Sequence, residues 1–271
     1  MPEGDTVWLA AKRLREALQG RAIVDSDFRL PALAHASVTG REVLDVVPVG
    51  KHLLMRFDDD RTLHSHFRMD GAWHLHGSSD RWQVPAHAVR VVLRTDDRVA
   101  LGVRLHDVRL VPSQQEQELV GHLGPDILGE AWDPADVIAR MQAVADLEIG
   151  LALLDQRLVA GIGNLYRNEA LFIRRLNPWT PVREVDALHE LLQVAHRLMD
   201  RNKGHWSQAT TGETGPGREH YVFERGRRPC RRCGTRISIA DQGTPPRQRL
   251  TYWCPTCQPT VPRTSASIEP D

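Results

Sequence analysis

Several things are scarce in this sequence, and each scarcity excludes a class of protein. No apolar run approaches the eighteen or so residues of a membrane span. The start, MPEGDTVW, lacks the charged-then-apolar pattern of a signal peptide, so a cytoplasmic location is expected. Cysteine is confined to Cys230, Cys233, Cys254 and Cys257, all within the last 42 residues, which excludes a disulfide scaffold spread along the chain. Net charge is zero, with 35 basic against 35 acidic residues, so the chain is not a globally basic nucleic-acid binder. Lysine is rarest of the charged types: Lys12, Lys51 and Lys203 stand among 32 arginines. A coding bias toward Arg explains the scarcity. A Lys that survives it marks a position where a compact amine suits better than a planar guanidinium.

What is present reads as an ordinary globular composition, 41% hydrophobic and 26% charged over 271 residues, enough for one large domain or two. Residues 4–19 repeat apolar positions at helical spacing (Val7, Ala10, Ala11, Leu14, Ala17, Leu18), and Gly20 is placed to end the helix. From about 21 to 111 the pattern becomes short Val- and Leu-rich strands: REVLDVVPV, KHLLMRF, TLHSHF, AWHLH, AVRVVLR and VALGVRL. Turn-forming clusters separate them, which predicts a β-sandwich or barrel with a hairpin turn around Asp96 and Asp97. After Pro112 the spacing predicts helices over 114–122, 134–145, 147–159, 165–173 and 184–202. The segment 204–226 reads as a loop or mobile connector, 227–258 as a small Cys-bearing module, and the tail from 259 as disordered.

The most specific pattern is Cys230-x2-Cys233-x20-Cys254-x2-Cys257, two knuckles offering four thiolates to one tetrahedral ion. Zn2+ is the expected occupant, held in a ribbon or finger of two short strands; rubredoxin-like iron or an adventitious pairing is the alternative. So small a module takes much of its folding energy from the metal. Between Arg218 and Arg249, nine Arg face only Glu219, Glu224 and Asp241, a local balance that favours phosphates.

The run LLDQRLVAGIGNLYRNEALF, 153–172, predicts a helix ending near Val159, a tight turn through Gly161 and Gly163, and a second helix starting near Asn164. Backbone N–H groups at such a helix start suit an anion, and a plain helix–turn–helix packing unit fits the same pattern. At the start of the chain, the small Pro2 permits removal of Met1 and would then carry a free secondary amine. Such an amine attacks an aldehyde-level carbon to give an iminium, and Glu3 beside it can handle protons. An inert Met-Pro start is the alternative. Lys51, in Gly50-Lys51-His52, is either a solvated loop charge or a functional amine. His64-x-His66 and His74-x-His76 set pairs on strand faces, with no carboxylate or Cys at a spacing that completes a second metal site.

Taken in order, MPEG at the start, VGKHLL at 49–54, SHFRMDG at 65–71, GPDIL at 124–128, the Gly161–Gly163 segment and CRRCG…QRLTYWCPTCQ resemble the formamidopyrimidine-DNA glycosylase/endonuclease VIII family. The resemblance covers residues 2–258 and is closer to the endonuclease VIII side, an actinobacterial-type branch. It implies an α+β fold: an N-terminal β-sandwich with an N-terminal helix (1–112), a helical domain with a helix–two-turn–helix motif (113–226) and a C-terminal zinc finger (227–258). It implies a monomeric enzyme of base excision repair that acts on damaged DNA. This would be a DNA glycosylase that removes oxidised bases, pyrimidines favoured, and an abasic-site lyase that nicks the strand by β,δ-elimination, with one structural Zn2+.

Residue by residue, Pro2 matches the family's nucleophile and Glu3 its proton donor. Lys51 matches the Lys that assists elimination, and Arg249 the finger Arg that grips phosphate and serves δ-elimination. Asn164 matches the phosphate-binding Asn. Arg68, Met69, Arg109 and His122 fall at DNA-facing positions, the first two where side chains enter the gap left by an extruded base. Thr6 stands where members commonly carry Glu, Asp70 follows Met69 where an aromatic can occur, and the aromatic that accompanies Arg109 in the purine-directed branch is missing. An oxidised-purine glycosylase, a non-catalytic damage binder and a zinc-ribbon transcription or translation factor are the alternative readings. The last leaves the N-terminal proline unexplained.

Overall fold

The computed structural model describes residues 2–260; the tail expected to be disordered lies, from 261 on, outside the described residues. The described chain divides into two compact units. The first comprises the residues up to Asp133 with Asp155–Gly163 and Met199–Gln208; the second comprises Pro134–Leu154, Asn164–Leu198 and the residues from Ala209 on.

The first unit opens with α1 (Gly4–Leu18), whose Val7, Ala11, Leu14 and Leu18 line one buried face at the spacing read from the sequence. Gly20, at φ +73°, turns the chain at its end and donates its N–H to Val43. Two antiparallel four-stranded sheets follow. One contains β1 (Asp25–Phe28), β5 (Ala72–Gly77), β6 (Val89–Arg94) and β7 (Arg98–Val103), in the order β1-β6-β7-β5. The other contains β2 (Val43–Val49), β3 (His52–Phe57), β4 (Arg61–His66) and β8 (Asp107–Pro112), in the order β2-β3-β4-β8.

Val91, Leu93 and Ala100 of the first sheet share one apolar core with Val46, Leu53, Met55 and Leu63 of the second and with α1, so the architecture is a sandwich. Val92, Val99 and Leu101 form a separate cluster on the first sheet's other face, under Trp82 and Val84. Burial on both faces explains the consecutive apolar Val91, Val92 and Leu93 of β6, where a one-sided strand would alternate. The β6–β7 hairpin turns at the expected aspartates, with Thr95 N–H donating to Arg98.

Two strands escape the sequence pattern. In β1, Asp-Ser-Asp-Phe, no apolar alternation marks an edge strand that pairs only with β6. In β8, Val108 and Leu110 alternate with Asp107 and Arg109, and the pairing with β4 extends the sandwich beyond the expected last strand.

The later helices are α2 (Glu116–Val120), α3 (Pro134–Gln142), α4 (Ile149–Ala152), α5 (Asn164–Ile173) and α6 (Leu188–Asn202). The helix expected over 147–159 stops at Ala152. Asp155 explains the stop: its carboxylate accepts the Arg157 N–H at 3.0 Å and its carbonyl accepts those of Leu158 and Val159. A side chain that bonds its own neighbouring backbone competes with the helical ladder. None of the helices is long and apolar enough to cross a membrane, among the described residues.

In the second unit α5 carries an unusual load, with Asn164, Arg167, Asn168 and Glu169 all buried. Arg167 donates to Gln242 and Thr251 and to the Asn164 side-chain oxygen, and Asn168 accepts the Tyr252 N–H. These bonds fasten α5 to the hairpin of β9 (Ser238–Gln242) and β10 (Arg249–Trp253), the two short strands expected between the cysteine pairs. The segment 204–226 forms neither helix nor strand. Glu169 nevertheless ties it down, accepting the N–H groups of Tyr221, Val222 and Phe223 and the Thr210 hydroxyl.

Candidate active site

Within the first unit, the residues singled out at the start of the chain and at Lys51 converge on one tripeptide, Gly161–Ile162–Gly163. Glu3 is the N-cap of α1 and fully buried, but its side chain does not cap that helix. Its carboxylate instead accepts the Gly163 N–H at 2.8 Å, and the Gly4 N–H donates to the Gly161 carbonyl at 3.0 Å. A Cβ on Gly163 would sit 2.4 Å from the Glu3 Cδ, so only glycine leaves room for the carboxylate. Lys51 reaches the same tripeptide from the β2–β3 turn, its Nζ donating to the Ile162 carbonyl. Pro2 immediately precedes Glu3 and is half-buried.

The GPDIL segment explains how Lys51 is delivered. Asp126 accepts the Gly50 N–H at 2.7 Å and the Leu128 N–H at 3.0 Å, and Ile127 pairs with Ala160. Burial pushes the Asp126 carboxyl above its ordinary range, against the effect of those two N–H groups. The sequence showed this motif without assigning it a task. It also left unassigned Asp5, which is buried and takes both carboxylate oxygens to the Gln208 side chain at 2.9 and 3.0 Å.

The outer face of the β2-β3-β4-β8 sheet gathers His52, His64 and His66. His52 Nδ1 and His64 Nε2 lie 2.8 Å apart, and the His122 ring stands edge-on 6.2 Å from that of His52. Burial, then neighbouring His66, pushes His52 down to about 3; burial, then Arg68, pushes His66 down to about 4. Both rings are therefore neutral near pH 7. His74 and His76 sit on β5, in the other sheet, so the two histidine pairs are not brought together.

Arg68, Arg109 and Met69 project at the rim of this face. Met69 is 67% exposed, an unusual position for a long apolar side chain. Arg68 adopts φ +54° and donates to Asp107 at 2.9 Å, while Arg109 Nε lies 3.7 Å from the other Asp107 oxygen. Burial alone would raise the Asp107 carboxyl. The Arg68 hydrogen bond and the charges of His64, Arg68 and Arg109 hold it below its ordinary range. Asp107 was not singled out from the sequence, yet it collects two residues that were.

In the second unit, Asn164 opens α5, and its amide donates to the Leu250 carbonyl at 2.9 Å while accepting from Arg167 at 2.6 Å. Leu250 follows Arg249, so the Asn164 side chain is fastened to the strand that carries Arg249. The Arg249 side chain is exposed and donates to nearby carbonyls, those of Arg247 and Gln248.

The four cysteine sulfurs all lie within 4.8 Å of one another. Cys233 and Cys254 are 3.4 Å apart and Cys230 and Cys257 3.9 Å, close to the roughly 3.8 Å that a tetrahedron of 2.3 Å Zn–S bonds requires. Backbone N–H groups of Arg232 and Cys257 point at the Cys230 and Cys254 sulfurs, which stabilises thiolate charge. The donor set fits Zn2+, which would cross-link the finger when bound. Cys230 and Cys254 share a small apolar cluster with Phe172, Val222 and Ile237.

Comparison with known proteins gives a consistent family. The formamidopyrimidine-DNA glycosylase N-terminal domain matches residues 1–112, and the formamidopyrimidine-DNA glycosylase H2TH domain matches residues 123–202. "Probable endonuclease 8 2" of Streptomyces coelicolor is 49% identical over 261 residues, covering 95% of this chain and 94% of its own. "DNA-(apurinic or apyrimidinic site) lyase Nei2" of Mycolicibacterium smegmatis is 39% identical, covering 95% and 99%. Among solved structures, Lactococcus lactis Fpg (MutM) in complex with an oxidised-pyrimidine-containing DNA superposes with a TM-score of 0.80 at 23% identity, over 96% of this chain and 100% of that one.

Proposed function

The chain belongs to the formamidopyrimidine-DNA glycosylase family, and from that premise we propose that it is a bifunctional DNA glycosylase and abasic-site lyase of base excision repair, with oxidised pyrimidines as preferred substrates. The observation that carries this reading is the attachment of Glu3 and Lys51 to one tripeptide, with Pro2 next to Glu3. Three chemically distinct groups, a secondary amine, a carboxyl and an ammonium, are thereby supplied by one rigid neighbourhood. Rigid positioning of this kind accounts for a large share of catalysis.

The chemistry follows from those groups. A base buried in the duplex must first be extruded, at a cost of a few kcal/mol. Exposed Met69, Arg68 and Arg109 supply the wedge and the charge that fill the gap. With Met1 removed, the Pro2 nitrogen attacks C1′. The glycosidic bond breaks toward the base, which leaves with the electron pair and takes up a proton, and the sugar ring opens to an iminium. Glu3 and Lys51 handle the protons of these steps. The iminium acidifies the C2′ proton; its loss expels the 3′ phosphate, a second elimination expels the 5′ phosphate, and water releases the sugar remnant from Pro2. Asn164, His122 and Arg249 are phosphate contacts in this scheme, and Cys230, Cys233, Cys254 and Cys257 would hold a Zn2+ that fixes the strand bearing Arg249.

The pyrimidine preference rests on the endonuclease 8 names of the relatives and on the lack, beside Arg109 in HDVRL, of the aromatic that accompanies that Arg in the purine-directed branch. The reading is tested by strand incision on duplexes carrying thymine glycol, dihydrouracil, 8-oxoguanine opposite cytosine, or an abasic site. Thymine glycol, dihydrouracil and abasic duplexes are expected to be cut faster than 8-oxoguanine. A panel led by 8-oxoguanine refutes the preference, and intact strands throughout refute the activity. Lys51→Arg, which keeps charge but not the compact amine, is expected to slow incision far more than it weakens DNA binding.

A further inference from the structure

We propose that Gln156 is a positioning residue for this reaction: its side-chain amide braces the Gly161–Ile162–Gly163 tripeptide, and through it sets where Lys51 and Glu3 stand. The inference rests on the reading of Lys51 and Glu3 as catalytic groups. Gln156 Oε1 accepts the Gly161 N–H at 3.1 Å, and Gln156 Nε2 donates to the Ile162 carbonyl at 2.9 Å. That carbonyl is the oxygen to which Lys51 Nζ donates. The next N–H along the chain, that of Gly163, is the one received by Glu3. One amide therefore holds both sides of the short stretch from which the two catalytic side chains are hung.

The tripeptide needs such a brace. Gly161 sits at φ +100°, and a second glycine follows Ile162, so the stretch has little stiffness of its own. A carboxamide is the side chain that offers one donor and one acceptor side by side, which matches a carbonyl and an N–H on consecutive residues. Its own base is fixed, since the Gln156 backbone carbonyl accepts the Gly124 N–H at 2.8 Å, and Asp155 begins the turn that replaces the expected helix. The early end of α4 thus has a use: a helix running to Val159 would carry Gln156 in its ladder, whereas the turn aims it along the tripeptide. Gln156 itself bonds backbone atoms at the site, so its effect passes through Lys51 and Glu3.

The test compares full-length Gln156→Met, which removes both bonds, and Gln156→Glu, which keeps an acceptor for Gly161 and loses the donor to Ile162. Each is made in the wild-type and Lys51→Ala backgrounds. Single-turnover incision and borohydride trapping at an abasic site are read beside affinity for an uncleavable tetrahydrofuran duplex. Gln156→Met is expected to slow single-turnover incision by about tenfold or more while affinity stays within about threefold, because misplaced groups cost rate before binding. In the Lys51→Ala background the same change is expected to cost at least about threefold less, because the two side chains act through one carbonyl. Gln156→Glu should fold as the wild type does and also lose rate, which keeps the test valid if the Met variant is unstable. Wild-type incision by both Gln156 variants, or a fully additive loss in the double variant, overturns the proposal. A fully active Lys51→Ala protein removes the reading beneath it, and the proposal with it.

Discussion

Replacing Glu169 by Gln isolates the force that holds the 209–226 segment in the second unit. The carboxylate is fully buried and receives four donors: the N–H groups of Tyr221 (2.8 Å), Val222 (2.8 Å) and Phe223 (2.9 Å), and the Thr210 hydroxyl. An acceptor-only group matches four donors, and an amide cannot. With the Gln oxygen kept toward Val222 and Phe223, its NH2 faces Tyr221 N–H and Thr210. The hydroxyl can turn and accept; the Tyr221 N–H cannot, so it loses a charge-assisted bond and meets a second donor. That change is worth about 2–4 kcal/mol, from a charged hydrogen bond plus an unsatisfied buried donor. Because the segment can open without the helices melting, the loss shows locally first. Amide hydrogen exchange at Tyr221, Val222 and Phe223 is the assay, with tryptic cleavage after Arg218 as a second readout. Exchange in the Gln variant should accelerate by roughly 30- to 1,000-fold, the range that 2–4 kcal/mol converts to at 1.36 kcal/mol per tenfold. Wild-type protection at these three amides would refute the anchoring role.

Three further outcomes follow from the site. Borohydride should trap a protein–DNA adduct linked through Pro2, and Pro2→Gly should abolish most trapping while retaining DNA binding; an adduct mapped elsewhere, or an active enzyme that keeps Met1, contradicts the assignment. Arg249→Ala should lower affinity and incision together with bound zinc unchanged, and should flatten the salt dependence of binding by about one unit of slope if one phosphate is lost; metal analysis without zinc, or full activity, breaks the link. Stability should fall as pH drops from 6.5 toward 4. His52 and His66 hold folded values of about 3 and about 4, below the ordinary 6.5, so the unfolded chain takes up protons first. After discounting for partial exposure, the pair costs about 1–3 kcal/mol at pH 5, and His52→Gln should flatten the melting-temperature profile in that window.

Much of this protein is local in the chain and was legible there. Helix α1 follows from apolar spacing, six strands from short β-branched runs between turns, and the finger from two cysteine pairs at fixed separation, because each depends on neighbours in sequence. The same holds for the start of α5 at Asn164. Tertiary structure alone decided what those pieces meet. Glu3 finds its N–H 160 residues away and Lys51 its carbonyl 111 residues away, and both partners are backbone atoms that every residue type possesses. No side-chain pattern can announce such a partner. For the same reason the task of Asp126, whose carboxylate holds the N–H before Lys51, and the anchoring of the 209–226 segment by Glu169 became visible only in the fold. Where a side chain bonds its own neighbourhood, as Asp155 does in ending α4, the rule was present in the sequence. There helical periodicity outweighed it, and in the fold the Asp155 turn won over a continued helix.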